Sequence, residues 1–260
     1  MTNPVQPRGT FTPKLGKAPA RPGAVKLTLS SYLSTALPAA PRAFGHYDLF
    51  PEDGWGMLGN DQYGDCVLAG GDHEHMLWNK VAGKDVAFDE ATALQDYSRI
   101  TGFSPHDPST DQGTDMEAAA AYRRKVGLID ASGRRHPIQA YAAVGLTSSK
   151  LAQAAHLFGA VGVGIQFPAS AMDQFNEGKV WTATDSAIEG GHYVPLVGRK
   201  GGKYAFLTWG HLQWATSGFV KKYVDEALVY FTPEMLTAGK SPEGFDTATL
   251  LADLKQVTSA

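Results

Sequence analysis

The sequence predicts an α+β fold in two lobes, and three observations carry that expectation. Stretches 66–81, 89–102 and 115–129 place small and apolar residues at helical spacing, so the first half is mostly helical. After a short helix at 149–158 the texture changes to "AVGVGIQF", "KVWTA", "GHYVPLVGRKGGKYAFLTWG" and "ALVYF", rich in Val, Tyr, Phe and Trp and broken by Gly, which reads as sheet. A chain of 260 residues with 43% hydrophobic content can bury a core large enough to hold both lobes against each other.

Taken in order, residues 1–50 hold seven of the 15 prolines and little periodicity outside "VKLTLSSYL", which marks an extended arm with one short ordered patch. Residues 51–231 form the main domain. Its first helix runs from Cys66 to about Val81, with Val67, Gly70, Gly71, Leu77, Trp78 and Val81 on one face. The helices "DEATALQDYSRITG" and "DMEAAAAYRRKVGLI" each open with acidic residues and end near Gly. "GRKGGK" reads as a hairpin turn between two strands. Residues 232–260 form a C-terminal extension in which "DTATLLADLKQV" has helical spacing. "GAVGVG" begins a strand instead of following one and has the wrong glycine order for a dinucleotide loop.

The charge pattern narrows the partners. Twenty-three basic and 26 acidic residues are interspersed for a net charge of −3, so neither nucleic acid nor an acidic membrane surface is expected as a partner. No run of about 18 apolar residues occurs, and the N-terminus lacks the apolar core of a signal peptide. A single cysteine forms no internal disulfide, so a reducing, cytoplasmic setting is the simpler expectation.

That cysteine closes the turn-rich stretch "LGNDQYGDC" and opens a helix. A thiol is nucleophilic only as thiolate, and the first turn of a helix supplies unpaired N–H groups and the positive end of the dipole. His192, in "EGGHYVPLVG", sits where two glycines let backbone approach closely and a strand mounts the ring rigidly, as a proton acceptor requires. The plain alternative is that Cys66 is a small buried hydrophobe and His192 a satisfied core histidine.

The order "DQYGDCVLAG", "GTDMEAAAAYRRKVGLID", "SKLAQAAHLFGAVGVGIQF" and "GGHYVPLVGRKGGKYAFLTWGHLQW" resembles the papain-like cysteine peptidases over roughly residues 50–220. The "GND..GDC" and "TWG" variants are similar to a divergent phage and bacterial group, which would permit a virion association. The resemblance implies a helical lobe carrying the nucleophile Cys66 and an antiparallel, barrel-like sheet lobe carrying the base His192. It implies an oxyanion donor six residues before the cysteine, where this chain has Asn60, while Gln62 is the better match of residue type. It also implies an orienting residue sixteen positions after His192, where Thr208 replaces the family's asparagine and Trp209 follows.

Asp65 is read as the cap of the Cys66 helix, with an inward-pointing carboxylate that raises the thiol pKa as the alternative. "DHEH" at 72–75 is read as a solvated helix face. His73 and His75 are two apart and cannot share one ion on a helix, and His46, His106, His136, His156 and His211 show no ligand spacing, so no metal or organic cofactor is expected. The functional expectation is a thiol hydrolase acting on a peptide or protein substrate. The alternatives are a papain-fold binding or structural component whose arm reaches a protein partner, and an acyl transferase using the same Cys–His pair. Oligomeric state is not legible in the sequence.

Overall fold

The computed structural model describes residues 7–32, 38–51 and 53–235. The arm holds helix α1 (Leu29–Tyr32) and strand β1 (Phe44–Gly45), and the helical lobe follows with α2 (Cys66–Val81), α3 (Glu90–Thr101) and α4 (Met116–Lys125). Asp89 and Asp115 cap α3 and α4 by accepting from the Thr92 and Ala118 N–H groups. A small ribbon of β2 (Leu128–Ile129) and β3 (Arg135–His136) leads to β4 (Ala140–Ala143) and α5 (Ser148–Phe158). The sheet lobe adds β5 (Val161–Pro168), α6 (Ala169–Asn176), β6 (Ile188–Lys200), β7 (Lys203–Thr208), β8 (His211–Thr216), α7 (Ser217–Tyr223) and β9 (Val224–Phe231).

The main sheet runs β4-β9-β5-β6-β7-β8 with β1 added to β6, every pairing antiparallel. The β6–β7 hairpin turns at Gly201 and Gly202, both at positive φ (59° and 76°), which is the turn chemistry that "GRKGGK" encodes. "KVWTA" is not a strand. Trp181 makes only an isolated bridge to Ala215, because its ring is buried in the core with Nε1 donating to the Ala171 carbonyl. The expected C-terminal helix at 246–257 lies outside the described residues.

Helix α2 is buried on nearly its whole circumference, wedged between β6, α3 and α4, and this corrects the reading of "DHEH" as a solvated face. Asp72, His73, Glu74 and His75 are all buried. Long-range partners make this tolerable. Glu74 accepts from Arg123 at 2.7 Å and from the Tyr193 hydroxyl at 2.7 Å. His73 Nε2 meets the Trp55 and Gly56 carbonyls, and His75 Nδ1 meets Glu234 at 2.6 Å.

Candidate functional site

Cys66 is the first residue of α2, the helix that packs against β6, and lines the groove between them. The groove narrows there to a cavity of about 10 Å³ lined by Asn60, Cys66, His73, Tyr193, Thr208 and Trp209, room for about one water-sized group. Thr208 ends β7, and its Oγ1 is 2.7 Å from His192 Nε2. His192 Nδ1, on the other side of the ring, is buried and makes no hydrogen bond. Trp209 stacks on the imidazole at 4.3 Å and 16°, held at φ 47°, a left-handed conformation that costs a tryptophan roughly 1–3 kcal/mol. Such strain, next to a histidine and a cysteine, is typical of a site shaped for chemistry.

The two candidate oxyanion donors separate. Asn60 is buried, lines the cavity and donates from Nδ2 to the Tyr63 carbonyl at 3.1 Å. Gln62 is exposed and does not line it. Asp65 does not cap α2. Its backbone (φ −95°, ψ 14°) is not the extended conformation that aims a cap side chain at the helix, and its carboxyl turns inward, fully buried beside the Asn60 amide. Burial therefore holds the Asp65 carboxyl well above the usual carboxylate range.

The arm enters this groove, which the sequence does not reveal. Lys17 N–H donates to the Gly191 carbonyl at 3.0 Å, Ala18 N–H to the Thr114 carbonyl at 2.9 Å, and Thr114 N–H to the Gly16 carbonyl at 2.8 Å. The chain thus runs as a short parallel pairing with Thr114 on one wall and touches Gly191, the residue before His192, on the other. Gly16 is pressed so close to Gly64 that a Cβ on it would lie 1.8 Å from the Gly64 carbonyl oxygen. Backbone N–H groups of Gly16 and Tyr193 approach the Cys66 sulfur. Covered in this way, Cys66 is 1% exposed and His192 0%. Burial pushes the Cys66 thiol up to about 12 and His192 down to about 3, so both are neutral in this closed state. No signal in the proline-rich arm singles out Gly16 or Lys17.

A second cluster bears on metal binding. His75 Nδ1, His136 Nδ1 and the Glu234 carboxylate lie within 4.8 Å of one another, although their sequence spacing gives no hint of it. Glu234 bridges the two rings directly, at 2.6 and 2.5 Å, while His136 Nε2 meets Asp130 at 2.9 Å. Direct carboxylate–imidazole contacts tie the end of the described chain to α2 and β3, with His75, lowered by burial to about 4, as a neutral partner and His136 raised by Glu234 and Asp130 against its burial.

No family model matches the sequence, and no curated protein is significantly similar to it. Solved structures do match. Xylellain, a cysteine protease from Xylella fastidiosa, superposes with a TM-score of 0.58 at 12% identity over 89% of this chain and 98% of that one. The Carica candamarcensis cysteine protease CMS1MS2 gives 0.52 at 12% identity over 74% and 99%. The ragweed cysteine protease Amb a 11, in its proform, gives 0.56 at 18% identity over 80% and 71%. The chain has the papain-like fold of cysteine proteases, with the helical lobe and the antiparallel sheet lobe that its sequence predicts. No helix among the described residues is long and apolar enough to cross a membrane.

Proposed function

We propose that this protein is a latent thiol hydrolase acting on peptide or amide bonds, with Cys66 as nucleophile, His192 as base and Thr208 as the residue that positions the base. The observation that supports it most is the division of labour on one imidazole: Nε2 is engaged by Thr208 and Nδ1 is buried and unpartnered, while the N–H of the next residue, Tyr193, approaches the Cys66 sulfur. With Nε2–H donating to the Thr208 hydroxyl, the Nδ1 lone pair takes the thiol proton once the groove is open. The thiolate attacks the substrate carbonyl, and the Asn60 amide with the Cys66 N–H stabilises the oxyanion. His192 then returns the proton to the leaving amine, and water releases the acyl group by the same route in reverse. A threonine hydroxyl accepts more weakly than an amide carbonyl, so the imidazolium is held less firmly than in the asparagine-bearing pattern.

The arm supports latency: the Gly16 N–H approaches the sulfur, and the Gly16 carbonyl oxygen accepts from the Thr114 N–H, which holds the arm over the thiol. Reversing the charge at Lys17, whose ammonium faces Asp225, should release the arm. The full-length Lys17→Glu protein should hydrolyse peptide substrates in a Cys66-dependent manner while the parent chain does not. Absence of turnover in the opened protein would favour the binding-component reading, which the filled groove also motivates. Greater product formation with added amines than with water would favour acyl transfer. A precursor protein of a virion is one member of the peptide class.

A further inference from the structure

The cluster of His75, His136 and Glu234 takes no part in the proposed hydrolysis. His75 stands on α2 nine residues after Cys66, roughly 13 Å along the helix at about 1.5 Å per residue. His136 comes from β3, and Glu234 from the segment that follows β9. Three separate parts of the chain thus bring one donor atom each to a common point, with all three atoms within 4.8 Å of one another. Both imidazoles are buried, their side chains 0% and 1% exposed, while Glu234 keeps 13% exposure and so leaves one side of the cluster open to solvent.

The surrounding contacts orient these atoms from behind. His136 turns Nδ1 to the cluster because its Nε2 meets Asp130 Oδ2 at 2.9 Å. Asp130 is fixed in turn, its Oδ1 accepting from the Ser132 N–H at 2.9 Å, the Ser132 hydroxyl at 2.7 Å and the Arg134 N–H at 2.9 Å. Asn79 Nδ2 donates to Glu234 Oε2 at 2.8 Å and to the His75 carbonyl at 2.9 Å, tying the carboxylate to the backbone that carries His75. A carboxylate behind one imidazole and an amide behind the ligating carboxylate are the outer contacts that hold metal ligands in register.

We propose that His75 Nδ1, His136 Nδ1 and the Glu234 carboxylate form a Zn²⁺-binding site that staples the segment after β9 to α2 and β3. Two imidazoles and one carboxylate are borderline donors that suit Zn²⁺ and leave a fourth position for water on the exposed side of Glu234. Two neutral imidazoles with the Glu234 and Asp130 carboxylates carry a charge that one divalent cation cancels, so the filled site is neutral in its buried surroundings. Before an ion binds, protons shared between the rings and Glu234 hold the cluster together. The ion needs the Nδ1 lone pair of each ring. His136 then keeps its proton on Nε2 against Asp130, His75 carries its proton on Nε2, which makes no other hydrogen bond, and any further proton leaves to solvent.

The test uses the full chain carrying Cys66→Ser, so that no thiol competes for the ion. The protein is freed of metal with EDTA, dialysed, and titrated with ZnCl₂ by calorimetry, and its melting temperature is measured with and without Zn²⁺. One Zn²⁺ per chain is expected, with a rise in melting temperature on binding. Asp130→Asn, which spares all three ligands, should weaken binding about tenfold, and Glu234→Gln by more than the roughly hundredfold range of an outer contact. Cobalt(II) in place of zinc should give visible d–d absorption that Glu234→Gln loses. Absence of stoichiometric binding to the Cys66→Ser protein overturns the site, as does an affinity that Glu234→Gln leaves unchanged. Should Glu234→Gln fold poorly by circular dichroism, Asp130→Asn carries the decision, and an unchanged affinity there overturns the site equally.

Discussion

His192 Nε2 lies 2.7 Å from Thr208 Oγ1, across the first pair of residues that the β7–β8 hairpin brings beside the imidazole. A hydroxyl here orients the ring without adding charge and pairs with either tautomer, so in the proposed mechanism the base is positioned but less stabilised as imidazolium. Thr208→Ala should lower kcat of the opened enzyme on the order of 10- to 100-fold, part of the roughly 10²–10⁴ that positioned proton transfer supplies. Thr208→Ser should restore most of it, and Thr208→Asn should shift the alkaline limb of the pH–rate profile upward by holding the imidazolium more firmly. A Thr208→Ala enzyme with unchanged kcat and pH profile would remove the positioning role.

Asp65 yields a stability prediction with a defined sign. Its carboxyl is held well above the usual carboxylate range by burial, so the folded state prefers the proton that the unfolded chain releases above about pH 4. Above that pH the group costs stability. Asp65→Asn should therefore stabilise the protein at pH 7, by about 1–3 kcal/mol for a buried carboxyl, with the difference vanishing below about pH 4. Urea denaturation of both proteins at pH 7 and pH 3.5 checks it.

The Glu234 bridge predicts the opposite kind of window. Glu234 is held well below its ordinary value by His136 and His75, against its burial, and so contributes stability above about pH 4.5 that is lost as pH falls. His136 is raised by Glu234 and Asp130, again against its burial, and contributes stability below about pH 6.5 that is lost as pH rises. Glu234→Gln should cost about 1–3 kcal/mol, most between those limits and less on either side. A deficit that does not vary with pH would mean that the carboxylate acts through packing alone.

Much of the fold is legible along the chain because it is written in local signals. The bounds of α2 at Cys66 and Val81, the Gly201–Gly202 hairpin and the change from helical to strand texture near residue 160 need no knowledge of distant partners. Burial of Asp72–His75 is different. It depends on Arg123, Tyr193 and Glu234, between 49 and 159 residues away, and a helix sheathed on all sides has no solvated stripe to betray it. Asp65 departs from the expected cap for a related reason: Asp before a helix is a cap by residue type, and its backbone angles exclude it. The candidate site was legible as two residues in a recognisable order, while the arm that covers them was not. Gly16 and Lys17 acquire meaning only from Gly64, Gly164 and Asp225, three separate points of the domain.

Removing the arm by truncation tests latency less cleanly than a point change. Deletion of residues 1–45 also removes the buried Leu29 and the β1 strand that pairs with β6 at Arg199 and Gly198. The truncated protein should show both a lower melting temperature and, where it stays folded, faster turnover of small substrates. Lys17→Glu should show the second effect with little of the first, since it exchanges one buried ion pair for a released strand. Comparing melting curves and turnover of the two proteins separates closure from folding.

The most direct test of the account is the rate of iodoacetamide alkylation between pH 5 and 9 for the parent chain, for Lys17→Glu and for Lys17→Glu with His192→Ala. Cys66 is the sole thiol, so the signal has one source. In the closed parent, burial holds the thiol up near 12 and the imidazole down near 3, so labelling should be negligible at neutral pH and rise only toward pH 9. In the opened protein, labelling should be rapid and persist below pH 7, and it should collapse when His192 is removed. Labelling of the opened protein that begins only near the ordinary thiol pKa of about 8.5, with or without His192, would contradict the claim that an activated Cys66–His192 pair lies under the arm.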